Sequence, residues 1–454
     1  MKKKFKPLLW IVVLAMSMLL ITVFSLGGCK AAEETAAEEV EEAAEEEPVA
    51  EEAEAEEPVT ISLAMHVANV KDQEPATYAI VQEFMKNNPN ITVEIQGTET
   101  DEHIKKMKMM AASGTLPDVF WMLPPPAKEM AEAGYLGDLT EFLSNNEDVV
   151  ARIPANMIDA YKLDDGTQYG IAYQPLVTGL WVNNDILGKY GLQVPETFDE
   201  LKEVVKTLKE NDVVTIAKGA KSPFSVWAFL IMICRYGYFD KIDGILAGEA
   251  SYNNPDFLKF YQKIDELREL GAFPENVSTL DYFQAVEMFM AGNAAMLDAG
   301  VWEAPKVEAS EFGAEASFWF GPTFGDGVGN QKVSMAVPAA PFVVSASVME
   351  DQAKANAVFE FLKYYFSDEA ADIIVNSQFL PVIKYSGEID TTSGLGKVLE
   401  ALGKPDWVSP PNQPDLIVSE AIGNAMYDSI YGVINGVYTP EEALDIVDSK
   451  IAEQ

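Results

Sequence analysis

Two cysteines and two histidines in 454 residues leave this chain nearly without the side chains that hold transition metals or drive nucleophilic chemistry. With His66 and His103 as its only imidazoles it has no HExxH pair, no three-histidine zinc site and no pair of CxxC arms. It contains no GxSxG elbow, no SxxK and no Walker loop, and Gly325, Gly327 and Gly329 are wrongly spaced for a dinucleotide fingerprint. Positive charge is also scarce: 32 Lys and Arg stand against 72 Asp and Glu, a net charge of −40. Phosphate recognition needs clustered basic residues, and none is evident, so nucleic acid is excluded as a partner. No cofactor is implied. The one enzyme class that survives is a glycosidase, whose two carboxylates carry no local motif and would be lost among so many acids.

What is present begins with an export signal. Lys2, Lys3, Lys4 and Lys6 precede an apolar run from Leu8 to Val23, and Leu26-Gly27-Gly28-Cys29 ends it. A basic start, an apolar stretch and small residues before a cysteine organise an exported precursor, cleaved after residue 28 and acylated on Cys29. Stable anchoring then needs two or more acyl chains, as on a modified N-terminal cysteine. An uncleaved membrane helix is the alternative, since the run approaches the length of a span. Once Cys29 is acylated no internal disulfide can form, and Cys234, in the apolar stretch 229–234, reads as a buried small hydrophobe. Residues 31–58 carry fourteen glutamates and no basic residue, which makes residues 29–58 a lipidated cysteine followed by an extended, solvated stalk. The first 29 residues hold +4 and residues 30–58 hold −13, so −31 remains on the body from Val59 to Gln454.

Periodicity orders the start of that body. Residues 60–67 alternate Ile61, Leu63 and Met65 against smaller or polar neighbours, residues 91–96 alternate again, and residues 118–122 form a short apolar run after a turn. Helical spacing over residues 74–86 and 101–112 lies between them. The pattern predicts a βαβαβ unit on a parallel sheet, with ligands beyond the carboxyl ends of strands near His66, Gly97 and Trp121. Further helices are expected over 197–209, 254–270 and 350–365.

Several segments then carry a family resemblance. Ser113-Gly-Thr-Leu-Pro-Asp-Val-Phe-Trp121, the stretch from Gly170-Ile-Ala-Tyr173 through Asn183 and Asp185 to Pro195-Glu-Thr-Phe198-Asp-Glu200, and Gly292-Asn-Ala-Ala-Met296 with Gly300-Val-Trp302 come in one order. A helix over 353–370 and a terminal Gly436-Val-Tyr-Thr439-Pro-Glu-Glu-Ala443 follow. Together, over about 350 residues, they resemble the extracellular solute-binding proteins of bacterial ABC importers, in the family that binds sugars and oligosaccharides. The resemblance implies an α/β fold of two lobes, a periplasmic-binding-protein-like Venus flytrap with segment exchange and hinge closure. It places lobe 1 at 59–172 plus about 338–382 and lobe 2 at 173–337 plus about 383–454, with crossovers near 172–177, 338–343 and 380–382. It further implies a monomer that is not an enzyme, working with ABC permease subunits at the outer face of the membrane.

The resemblance also places Trp121 and Trp302 where this family stacks aromatic rings on sugar. A pyranose offers apolar C–H faces and a ring of hydroxyls, so its sites combine flat side chains with carboxylates or amides. Tyr173, Trp227 and Trp319 are further aromatic candidates, although each sits among apolar neighbours and suits core packing equally. His66 at the end of the first strand is a candidate polar contact, as are Gln174 and Asp298; Asp118 suits either a hydroxyl contact or a cap on its own turn. Trp181 is expected to pack in the sheet. The crossover Gln174-Pro175-Leu176-Val177 offers no carboxylate, which leaves a polyamine or another small solute as the alternative ligand, and a tethered carbohydrate hydrolase as the alternative class.

Overall fold

The computed structural model describes residues 57–454; the export signal, Cys29 and the glutamate stalk lie outside the described residues. Among the described residues ten strands build two sheets. The first has the order β2-β1-β3-β10-β4, from β1 (Val59–Met65), β2 (Ile91–Gly97), β3 (Val119–Trp121), β4 (Ile171–Ala172) and β10 (Pro341–Val344). The second has the order β6-β7-β5-β8, from β5 (Pro175–Asn183), β6 (Val214–Ala217), β7 (Ala294–Gly300) and β8 (Ala316–Trp319), while β9 (Ala336–Pro338) pairs with the start of β5. The architecture is the two-lobed α/β fold.

The anticipated βαβαβ unit is there. β1 pairs in parallel with both β2 and β3, and helices Pro75–Asn87 and Thr100–Ser113 make the crossovers. Ile61, Leu63 and Met65 are buried, and β10 runs antiparallel between β3 and β4. Thr100–Ser113 stops at Gly114, whose φ of 67° is the left-handed conformation that closes a helix cheaply only with glycine. The turn then delivers Asp118, whose carboxylate accepts from the Ser62 backbone N–H and hydroxyl, both at 2.8 Å, and from Lys354 at 2.8 Å. Asp118 therefore ties β1 to helix Gln352–Tyr365, and the hydroxyl-binding alternative is corrected to this structural one.

The second lobe is built on local signals of the same kind. Thr197 and Glu200 form a capping box ahead of helix Phe198–Glu210, and Asn254 caps Pro255–Glu269, where Pro255 loses no bond because a first-turn N–H has no partner. Between the two sheets the chain passes only Tyr173 and Gln174 on the first crossing, and Ala339 and Ala340 on the second. Around these crossings the apolar interior divides, one part about β1, β3 and β10, the rest about β5 and β7. Among the described residues no helix is long and apolar enough to cross a membrane.

Trp181, in the middle of β5, is fully buried, meets Phe318 edge-on at 4.9 Å, and donates its indole N–H to the carbonyl of Gly300 at 2.9 Å. Trp181→Ala should cost about 3–5 kcal/mol in urea unfolding, from lost burial and the cavity left behind; a loss under about 1 kcal/mol would contradict this packing.

Candidate functional site

At the carboxyl ends of β1, β3 and β4 the first lobe gathers aromatic and polar groups. His66, just past β1, lies flat on Trp121 at the end of β3, with ring centroids 3.9 Å apart and planes 14° from parallel. Buried His103 approaches from beneath, its Nε2 2.7 Å from the Trp121 carbonyl and its ring edge-on to the indole. Glu74 stands between the short helix Val70–Gln73 and helix Pro75–Asn87, only 4 % exposed. Its Oε1 accepts from the Tyr173 hydroxyl at 3.3 Å and lies 3.9 Å from His66 Nε2. Gln174 donates to the same hydroxyl at 2.6 Å.

Burial sets the charges on this wall. Desolvation pushes the Glu74 carboxyl up to about 7, against the smaller opposing effect of the Tyr173 hydrogen bond. It pulls the His66 imidazole down to about 3, helped by the neighbouring His103. Between those limits the wall carries a neutral imidazole and a neutral carboxyl, which can donate as well as accept. Such a surface suits hydroxyls better than a cation.

The second lobe answers with indoles. Trp302 follows β7 in the turn Val301–Glu303, and its ring folds back over Gly300, where a Cβ would come within 2.1 Å of it. It is half-buried and packs against both apolar interiors, so it stands at the junction of the lobes. Trp227, the first residue of helix Trp227–Cys234, meets it at 4.9 Å and 68°. At another point on the junction Lys108, of helix Thr100–Ser113, reaches across to Glu420, the first residue of helix Glu420–Ile434.

Of the sequence candidates, Trp302, Gln174 and His66 thus come part-exposed to the junction or to the strand ends facing it, while Tyr173 and Trp227 lie behind them, 2 % and 8 % exposed. The face of Trp121 toward His66 is occupied, and the residue is 6 % exposed, so in this conformation His66 presents the surface. Two candidates need correction. Asp298 is 2 % exposed with both oxygens taken: Oδ2 pairs with buried Lys218, and Oδ1 accepts the Ala228 N–H at 2.8 Å in the first turn of Trp227–Cys234. Trp319 is 5 % exposed and packs in the second lobe's interior beside Leu180, its partner across β8 and β5. Glu74 was missed; its only signal is its place before Pro75 at a helix start beyond the first strand. Two concavities on the second lobe, of about 510 Å³ beside Ile389 and Leu399 and about 390 Å³ beside Asn424 and Tyr438, share none of these residues.

Because Glu74 binds its proton more tightly folded than unfolded, the stability associated with it is full below pH 4.5 and is lost as pH rises towards 7. Glu74→Gln should therefore gain on the parent protein between pH 4 and pH 8, by up to about 3 kcal/mol at 1.36 kcal/mol per pH unit. Urea titrations at both pH values check this; a constant difference would mean an ordinary carboxylate.

Residues 68–372 match the model of the bacterial extracellular solute-binding protein family, two thirds of the chain. A multiple sugar-binding protein of Streptococcus mutans is 22 % identical over 253 residues, which cover 53 % of this chain and 57 % of that protein. The chain spans about half the length of the curated relatives it matches. Among solved structures, a chitin oligosaccharide binding protein superposes with a TM-score of 0.76 at 22 % identity, over 87 % of this chain and 98 % of that one. Another, from work on xylan utilization by Caldanaerobius polysaccharolyticus, gives a TM-score of 0.77 at 23 % identity over 86 % of this chain and 100 % of that one. The described fold and the matched segment agree: this chain belongs to the bacterial extracellular solute-binding protein family.

Proposed function

We propose that this protein is the substrate-binding component of an ABC importer, anchored through Cys29 at the extracytoplasmic face of the cell membrane, and that its solute is a carbohydrate held between the lobes. The observation that carries this reading is the unlike character of the groups that the two lobes bring to their junction. The first lobe supplies Glu74, Tyr173 and Gln174, hydrogen-bonding groups of mixed donor and acceptor character. The second supplies Trp302, a half-buried indole backed by the buried ring of Trp227. Stacking against C–H faces and hydrogen bonding to a rim of hydroxyls are the two demands a sugar ring makes. A carboxyl whose proton affinity burial raises to about 7 is only partly ionised at neutral pH, a weaker partner for a polyamine than an ordinary carboxylate, which favours the carbohydrate within the binder class. The Streptococcus mutans relative, described as sugar-binding, and the chitin oligosaccharide binding protein support the same class.

Transport would follow without catalysis. Contacts to both walls exist together only when the lobes are closed, so solute shifts the population to the closed form, which the permease subunits can distinguish from the empty one.

Thermal unfolding and calorimetric titration with mono- and oligosaccharides and polyamines test the proposal. A saccharide at 100 times its dissociation constant should add about 2.7 kcal/mol of stability and be recovered uncleaved. Trp302→Ala should weaken that binding at least tenfold while leaving the ligand-free midpoint within a few degrees. Stabilisation by a polyamine alone, or recovery of hydrolysed sugar, would overturn the assignment.

A further inference from the structure

Trp302 is held from behind by a chain of two hydrogen bonds. Its indole N–H donates to the hydroxyl of Tyr282 at 2.7 Å, and that hydroxyl donates to Oε1 of Glu303 at 2.7 Å. The order is fixed by chemistry: an indole nitrogen can only donate, a phenol has one proton, and with that proton given to the carboxylate the phenol oxygen keeps lone pairs for the indole. Glu303 is 2 % exposed, an unusual place for an acid. It precedes helix Ala304–Ala309, yet its side chain makes no capping hydrogen bond there. Its other oxygen lies 3.1 Å from Lys306, itself 45 % exposed. The acid is therefore buried towards Tyr282.

Tyr282 is itself buried and well anchored. It opens helix Tyr282–Met290 behind an Asp281–Gln284 capping box, and its backbone N–H donates to Ser222. Trp227 stands nearly perpendicular to it, at 5.3 Å and 83°. A half-buried indole loses much of its rotamer freedom when a ligand stacks on it, so fixing the ring beforehand favours binding.

We propose that Glu303 is a positioning residue for the carbohydrate site, acting through Tyr282 to hold the plane of Trp302 before ligand arrives. The proposal rests on Trp302 being the stacking residue named above.

The test uses the full-length protein carrying Tyr282→Phe, Glu303→Leu or Glu303→Gln, the last of which keeps an Oε1 acceptor. The indole N–H resonance of Trp302, assigned by its absence in Trp302→Phe, is read without ligand; affinity for the best saccharide and the unfolding midpoint are read beside it. Tyr282→Phe and Glu303→Leu should move that resonance and weaken binding about tenfold, while Glu303→Gln stays within about twofold of the parent. If Glu303→Leu does not fold, Tyr282→Phe and Glu303→Gln decide. An unmoved resonance in Tyr282→Phe, or a Glu303→Gln as impaired as Tyr282→Phe, would overturn the proposal. If no saccharide binds the parent protein, the carbohydrate reading fails, and the ligand-free resonance still decides whether the relay positions the indole.

Discussion

The shortness of the two sheet-to-sheet crossings constrains everything else in this molecule. A residue extends at most about 3.6 Å, so Tyr173 with Gln174, and Ala339 with Ala340, keep the ends of two sheets within roughly 10 Å of one another. The crossings lie side by side, because β9 pairs with β5 through Pro175 and Pro338 while β10 pairs with β4 through Pro341 and Ala172. The Tyr161 hydroxyl grips the Ala339 carbonyl. Two adjacent extended links permit bending about their line and resist separation, which is the geometry of a hinge. Tyr173 belongs both to this hinge and to the polar wall, so a solute that bonds to its hydroxyl acts on the strand about which the lobes turn.

The two walls are stiffened by different means. On the first lobe burial opposes charge, leaving His66 neutral against Trp121 and raising Glu74, beside Tyr173, to about 7. On the second lobe a charge pair is buried outright. Lys218 and Asp298 have about 1 % exposed side chains, and the lysine also donates to the Ser225 carbonyl. Desolvating two ions is costly, so such a pair is weak evidence for stability, whereas removing one partner strands a buried charge. Its visible consequence is positional. Asp298 fixes the first turn of helix Trp227–Cys234, and through it the indole that abuts Trp302.

Much of the fold was legible because local chemistry and global packing agree. The alternation of Ile61, Leu63 and Met65, the left-handed glycine at 114 and the capping residues at 197 and 254 each dictate an element with no knowledge of distant contacts. The site was only half legible. Motif order brought Trp302 and Tyr173 forward and the first strand's end brought His66, but a position near a strand end does not say which face a side chain takes. Asp298, two residues before Gly300, turns to the helix side and meets Lys218, a partner 80 residues away that no local pattern announces. Trp319 turns inward by the same two-residue alternation. Glu74 had no signal of its own among 72 acids; what marks it is its buried place beside Tyr173 and His66.

The central claim is that one carbohydrate bridges a polar wall on the first lobe and an aromatic wall on the second. A crystal structure of the protein with its tightest-binding saccharide tests this most directly. An intact sugar ring stacked on Trp302, with hydroxyls bonded to Glu74 or to the Tyr173–Gln174 pair, is the expected result. A sugar bound at the concavity beside Asn424 and Tyr438, or one touching a single lobe, would contradict it.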